Sequence, residues 1–108
     1  MKAAVYYETG PPEVFRYEDV PKPTCHLRGV LIDVEAISIE GGDVLHRAGG
    51  EMTSRPHIVG YQFAGRIREI GSEVDNRVVG ERVVATVPTG SHAEIASVAA
   101  HGTWRVPD

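Results

Sequence analysis

Cysteine is almost absent from this chain of 108 residues, in which Cys25 is the only thiol. A single cysteine excludes an internal disulfide, as is usual in a reducing compartment. Cys25 and His26 are neighbours, so on an extended chain they point to opposite faces and cannot chelate one ion together. The remaining histidines lack ligand spacing on a helix: His46, His57, His92 and His101. We therefore expect no metal centre and a structural Cys25, buried or half-buried.

Long apolar runs and clusters of basic residues are absent as well. No apolar stretch approaches the roughly 20 residues of a membrane span, and residues 1–8 reach a charge too soon for a signal peptide. The 11 Lys and Arg residues are dispersed and the net charge is −4, so no surface that follows a nucleic acid backbone is predicted. The composition, 42% hydrophobic and 24% charged, indicates one cytoplasmic globular domain that binds neither membranes nor nucleic acid.

No Gly-x-Gly sequence occurs, so the Gly-x-Gly-x-x-Gly loop of dinucleotide-binding folds is missing. That loop requires glycines because its backbone N–H groups must approach a pyrophosphate at a helix N-terminus. By itself the chain is predicted neither to bind a nicotinamide cofactor tightly nor to turn over substrate.

What the chain does contain is period-two alternation, which is typical of strands. Strands are predicted at residues 2–8, 15–20, 30–36, 63–70, 82–87, 93–98 and 104–106, between turns rich in glycine and proline. Alternate residues of the third and fourth strands are expected to face the core: Val30, Ile32, Val34, Ala36, Phe63 and Ile67. Short strands at this spacing predict a mainly β fold, a small antiparallel barrel or sandwich.

One segment breaks this alternation. Asp43 is predicted to cap the N-terminus of a short helix over residues 44–48, which Gly49 and Gly50 would end. His92 and Glu94 are expected to share one solvated strand face, because they lie two residues apart.

Four sequence segments, in order, resemble the medium-chain dehydrogenase/reductase superfamily of alcohol dehydrogenases and quinone oxidoreductases. Residues 39–43 (Ile-Glu-Gly-Gly-Asp) and 60–65 (Gly-Tyr-Gln-Phe-Ala-Gly) resemble its active-site segments, and residues 79–83 and 91–94 resemble later strands. The resemblance implies a GroES-like domain over residues 1–108, a partly open β-barrel with one or two short helices. It also implies a dinucleotide-binding Rossmann domain that is absent from this chain.

Zinc-dependent members of the superfamily carry Cys, His and Glu at three positions that hold Glu40, Tyr61 and Gln62 here. The resemblance is therefore to the zinc-independent, quinone oxidoreductase-like branch. It implies an NADPH-dependent, homo-oligomeric parent enzyme that transfers hydride to a quinone or an α,β-unsaturated carbonyl. Apolar surface is expected where the second domain would dock.

By this resemblance the expected catalytic residues are Glu40, Tyr61 and Gln62. Glu40 would also contact the nicotinamide ribose, and Tyr61 would donate a hydrogen bond to the developing oxyanion. The expected substrate pocket is formed by helix residues: Leu45, His46 and Arg47. The alternative for each is structural: an exposed carboxylate, a packed aromatic ring or a solvated helix face.

Two other functions stay open at this point. One is a zinc-type alcohol dehydrogenase with unusual ligands such as Glu40 and His46. The other is a free-standing, non-catalytic GroES-like binding module.

Overall fold

Seven short strands, one α-helix and two 3₁₀ turns form the regular structure of residues 1–107, the part of the chain that the computed structural model describes. The strands are β1 (Lys2–Val5), β2 (Arg16–Asp19), β3 (Gly29–Ile37), β4 (Gln62–Ile70), β5 (Arg82–Thr86), β6 (Ile95–Ala99) and β7 (Thr103–Arg105). Helix α1 spans Gly41–Gly49, and the 3₁₀ turns span Pro12–Val14 and Ala100–Gly102. Each predicted strand is present within a few residues. No helix in this part of the chain is long and apolar enough to cross a membrane.

The strands form two antiparallel sheets that stay open. β1 and β2 make a two-stranded ribbon, while the larger sheet has the order β6-β3-β4-β5-β7. Single bridges, Ala3 to Ala93 and Tyr6 to His57, tie the ribbon to the rest of the domain. This is the partly open barrel expected of a GroES-like domain.

The core lies on the inner face of the larger sheet. Alternate residues of β3, β4 and β5 are buried there, as the period-two pattern predicts: Val30, Ile32, Phe63, Ile67 and Val83. Gly65 of β4 lets the two central strands approach closely, since a Cβ there would lie 2.0 Å from the Asp33 carbonyl oxygen. Each buried aliphatic or aromatic side chain contributes about 1.5–3 kcal/mol of burial free energy.

The prediction that Ala36 faces the core is wrong. β6 pairs with β3 only from Gly29 to Asp33, so the second half of β3 extends beyond the end of β6. The register of β3 against β4 also shifts between Val34 and Ala36. Ala36 is consequently exposed and Val34 is half-buried.

The prediction that Asp43 is the helix N-cap is also wrong. Glu40 is the N-cap, and Asp43 is the third helical residue. The Asp43 carboxylate reaches back and accepts the Glu40 backbone N–H at 2.9 Å, which is one half of a capping box. Gly41 and Gly42 take helical positions that the sequence pattern left outside the helix. Its end is as predicted, at Gly49.

Candidate functional site

Glu40 and Tyr61 both lie at the N-terminus of α1. Tyr61 packs so closely on the helix that a Cβ on Gly42 would lie 2.9 Å from its Oη. Burial, followed by the carboxylates of Glu40 and Asp43, raises the pKa of Tyr61, and a hydrogen bond from Gly42 partly opposes them. The phenol therefore stays protonated at neutral pH and remains a hydrogen-bond donor. Glu40 is half-buried at the N-cap beside it.

Gln62 lies apart from this pair. Its side-chain Oε1 accepts a hydrogen bond from Ser38 Oγ at 3.1 Å, and the Ser38 backbone N–H bonds to its carbonyl at 3.3 Å. Successive residues of an extended chain point to opposite faces, so Gln62 is exposed while Tyr61 is half-buried. Gln62 lines a second groove of about 400 Å³ on the outer face of the sheet, with Trp104 at its far wall. The structure thus brings two of the three expected catalytic residues together.

The three expected pocket residues of α1 face different surroundings, because consecutive helical residues are about 100° apart around the axis. Leu45 is 73% exposed. The ring of His46 packs edge-on against His57, with centroids 4.6 Å apart. Arg47 Nε donates to the Gly10 carbonyl at 3.1 Å and lines the cleft described below.

The donors at the zinc-ligand positions do not fit a zinc ion. Tyr61 is a protonated phenol with a raised pKa, and Gln62 offers a neutral amide that is turned to Ser38, so only Glu40 supplies an anionic ligand. Structural and catalytic zinc sites use three or four thiolate, imidazole or carboxylate ligands. Cys25 is half-buried, as expected, and burial, followed by the charge of Glu69, raises the pKa of its thiol. Within residues 1–107, no three His, Cys, Asp or Glu side chains are grouped to hold a metal.

A cleft of about 570 Å³ lies between the β1–β2 ribbon, the second half of β3 and helix α1. Its walls are mostly apolar and include Ala4, Phe15, Val34, Ile37, Ile39 and Val44. Of the residues expected at the site from the sequence, Arg47 alone contributes to these walls, and neither Glu40, Tyr61 nor Gln62 does.

Asp43 and His92 form a buried polar pair in this cleft. Asp43 Oδ2 and His92 Nε2 are 3.8 Å apart, with side chains only 4% and 10% exposed. The prediction that His92 is solvated is wrong, because it precedes β6 in a segment that folds onto residues 59–60: its backbone N–H bonds to the Val59 carbonyl at 3.1 Å. No spacing rule connects positions 43 and 92, so the sequence carried no signal of this contact.

Gly60 makes room for that pair. Its φ is +110°, and a Cβ there would lie 2.1 Å from Ser91 Oγ and 2.5 Å from His92 Cδ2. Glycine is needed at this position for both reasons. Ser91 and His92 can therefore pack directly against the backbone at residue 60.

A second buried polar group lies beneath α1. Tyr6 and His57 are fully buried, with ring centroids 5.3 Å apart. The Tyr6 hydroxyl and both His57 ring nitrogens have no hydrogen-bond partner. Burial, and then the nearby His46, lowers the pKa of His57 from its ordinary value of 6.5, so the imidazole is neutral at pH 7. The sequence gives no pattern that predicts this burial of His57.

Residues 27–108 match the family model of the alcohol dehydrogenase GroES-like domain, and the chain belongs to this family. It is 38% identical over 87 residues to a sorbitol dehydrogenase of Bacillus subtilis, covering 77% of this chain and 24% of that protein. It is 33% identical over 101 residues to a quinone oxidoreductase of Pseudomonas aeruginosa, covering 92% of this chain and 31% of that one. The chain thus spans about a quarter to a third of the length of these relatives.

The fold agrees with that of a mycobacterial protein solved in complex with NADPH. The two superpose with a TM-score of 0.91 and 33% identity, over 100% of this chain and 34% of the other. Together with the quinone oxidoreductase relative, this likeness confirms that the chain is a GroES-like domain of the medium-chain dehydrogenase/reductase superfamily.

Proposed function

We propose that this chain is the substrate-side domain of an NADPH-dependent, zinc-independent oxidoreductase that reduces quinones or α,β-unsaturated carbonyls. The observation that carries the proposal is the Glu40–Tyr61 pair at the N-terminus of α1. Two oxygen-bearing side chains stand where zinc-dependent relatives have metal ligands, and Tyr61 is held as a protonated phenol. The quinone oxidoreductase relative supports the choice of substrate class.

A dinucleotide-binding domain would hold most of the cofactor, and NADPH, when bound, would supply the hydride. The Glu40 carboxylate, half-buried at the N-cap, can accept a hydrogen bond from a ribose hydroxyl of that cofactor. We propose that the parent enzyme is a homo-oligomer, and that this domain alone is inactive because it lacks the phosphate-binding loop.

Tyr61 would stabilise the negative charge that develops on the substrate oxygen. A protonated phenol can donate one hydrogen bond to that oxygen without a metal ion. The Gln62 side chain points to the opposite face of the strand from Tyr61, so it does not share this role. Instead it holds Ser38 through two hydrogen bonds and so fixes the segment that leads to Glu40. Its contribution would be the positioning of Glu40.

The helix would supply the substrate side of the site. Leu45 projects into solvent with 73% of its surface exposed and can cover the apolar ring of a substrate. His46 and Arg47 are anchored, against His57 and the Gly10 carbonyl respectively, so they would shape this wall with little loss of conformational entropy.

The experiment is a kinetic comparison in a protein that carries this domain together with a dinucleotide-binding domain. NADPH oxidation by a quinone is followed for the wild type and for Tyr61→Phe. Loss of one oxyanion donor lowers kcat by about 10²–10³-fold, while KM should change little because the interaction belongs to the transition state.

The matched control is Tyr7→Phe. This substitution also removes one phenolic hydroxyl, but one that is bonded to Glu18 on the ribbon. It should leave kcat unchanged, because this hydroxyl bonds to Glu18 and not to a residue of the proposed site. Equal kcat for Tyr61→Phe and the wild type would refute the role of Tyr61.

A further inference from the structure

His57 is buried in contact with two other rings. It is fully buried, and within residues 1–107 neither of its ring nitrogens has a hydrogen-bond partner. The ring of Tyr6, on β1, packs against it at a centroid distance of 5.3 Å. The ring of His46, on α1, packs against it at 4.6 Å. A neutral imidazole fits this site, whereas an imidazolium would be a buried and unpaired charge.

The groups that face His57 in the described part of the chain do not balance a positive charge on it. Burial raises the pKa of Tyr6, so its phenol stays uncharged, and His46 is itself a base. Asp43 and Arg47 act on the pKa of Tyr6. The pKa of His57 is lowered first by burial and then by His46. Protonation of His57 therefore requires one of the two covering rings to move and admit water.

The ring of Tyr6 is firmly held. Tyr6 and His57 exchange two backbone hydrogen bonds, of 3.1 and 2.9 Å, which form one of the bridges between the ribbon and the rest of the domain. The Tyr6 ring also packs edge-on against Phe15, with centroids 5.6 Å apart. Moving Tyr6 away would break the bridge and expose a fully buried aromatic side chain.

The last turn of α1, residues 46–49, is held less firmly. None of these residues is buried, and the helix has only nine residues, three of them glycine. Isolated helices shorter than about 12–15 residues are marginal in water, and glycine weakens a helix further.

Three hydrogen bonds hold this turn to neighbouring segments. The Gly10 N–H donates to the Arg47 carbonyl at 2.8 Å, and Arg47 Nε donates to the Gly10 carbonyl at 3.1 Å. The ring of His46 donates from Nε2 to the Glu51 carbonyl. Water can replace these partners with a small net loss of free energy, because every group involved would be solvated. The His46 side is therefore the one that opens more easily.

We propose that protonation of His57 releases the last turn of α1, so that this turn is closed at neutral pH and increasingly open in acid. Release uncovers the His57 ring while its bridge to Tyr6 stays intact. The open form regains the ordinary imidazole pKa of 6.5, whereas the closed form has a lowered one. Below pH 6.5 the open form therefore binds more protons and gains in population. The inference rests on the contacts of His57 and not on the proposed function.

The test is hydrogen exchange of backbone amides in the 15N-labelled chain, followed by NMR between pH 7 and pH 5. The Gly10 N–H reports on the closed turn because it donates to Arg47, and the Tyr6 N–H reports on the bridge because it donates to His57. Protection factors are compared, since they correct for the intrinsic pH dependence of exchange.

Two results are expected in the wild type. The protection factor of Gly10 should fall about eightfold between pH 6 and pH 5, the ratio for uptake of one proton by an open form with a pKa of 6.5. It should also be lower than that of Tyr6 at both pH values, because the turn opens while the bridge is closed. Low concentrations of urea should accelerate exchange at Tyr6 more than at Gly10, since local opening exposes little surface.

Three variants assign the effect to one histidine. In His57→Phe the protection factor of Gly10 should no longer respond to pH. His46→Phe keeps an aromatic ring on His57 and removes the second imidazole, so the response should remain. The matched control is His101→Phe, the same change at an exposed histidine, which should also keep the response.

Four results would overturn the proposal: an equal protection factor of Gly10 at pH 6 and pH 5, equal protection of Gly10 and Tyr6 at both pH values, an undiminished response in His57→Phe, or a lost response in His46→Phe. The first two are measured in the wild type, so they decide the matter even if His57→Phe does not fold. None of the four bears on the activity proposed for Glu40 and Tyr61, which is measured separately.

Discussion

Replacement of Gly60 by alanine tests how the buried polar pair is built. An added Cβ would lie 2.1 Å from Ser91 Oγ and 2.5 Å from His92 Cδ2, and φ at this position is +110°. The substitution therefore imposes two separate costs, a strained backbone and a steric overlap. The backbone N–H groups of Ser91 and His92 bond to the carbonyls of Gly60 and Val59, so the two main chains cannot separate without breaking these bonds.

Gly90 allows the two costs to be separated. Its φ is +109°, yet nothing lies within 4 Å of a Cβ placed on it. Gly90→Ala should therefore show the backbone cost alone, about 1–3 kcal/mol for a residue in a sparsely populated region. Gly60→Ala adds the overlap, for which overpacking of a buried site costs typically about 1–3 kcal/mol more.

Urea-induced unfolding of the two variants and the wild type, monitored by the fluorescence of Trp104, measures both free energies. We expect Gly60→Ala to be less stable than Gly90→Ala by about 1–3 kcal/mol at an unchanged m-value. If the two variants were equally stable, the close packing of Ser91 and His92 on residue 60 would be refuted.

Three further predictions concern stability. The wild type should lose stability between pH 7 and pH 5. The pKa of buried His57 is lowered in the folded state, so the unfolded chain takes up more protons than the folded one below pH 6.5. In His57→Phe the free energy of unfolding should vary less with pH, and a pH dependence identical to that of the wild type would contradict this. Phe63→Ala, at a core position 4% exposed, should cost about 3–5 kcal/mol in urea unfolding, and a cost below about 1 kcal/mol would place Phe63 outside the core. Glu35→Ala should lower the free energy of unfolding by less than about 1 kcal/mol, because the ion pairs of Glu35 with Arg66 and Arg82 are exposed. A larger decrease would contradict the view that these exposed ion pairs contribute little.

Strand positions could be predicted because local alternation and burial agree along most of the chain. Phe63 and Ile67 are buried as the alternation requires. The prediction that Ala36 is buried is wrong because β6 pairs with only the first half of β3. β6 lies some sixty residues away in sequence. A pattern within one strand contains no information about where its neighbour ends.

The helix start and the polar pair show the same limit. Asp43 has the residue type of an N-cap, but it acts from the third helical position through a bond back to Glu40. Its contact with His92 joins two segments 49 positions apart, and His92 reaches it from a segment that is hydrogen-bonded to Val59. The resemblance to a family of known fold predicted that Glu40 and Tyr61 lie at one site. That Gln62 points away from Tyr61 became clear only from the geometry of the strand.

The most direct test of the proposed function is the metal content of the active enzyme, determined by mass spectrometry before and after exhaustive chelation. We expect zinc far below stoichiometric amounts and an unchanged rate of quinone reduction after chelation. Stoichiometric zinc that disappears together with activity, and is not retained in Glu40→Ala, would contradict it.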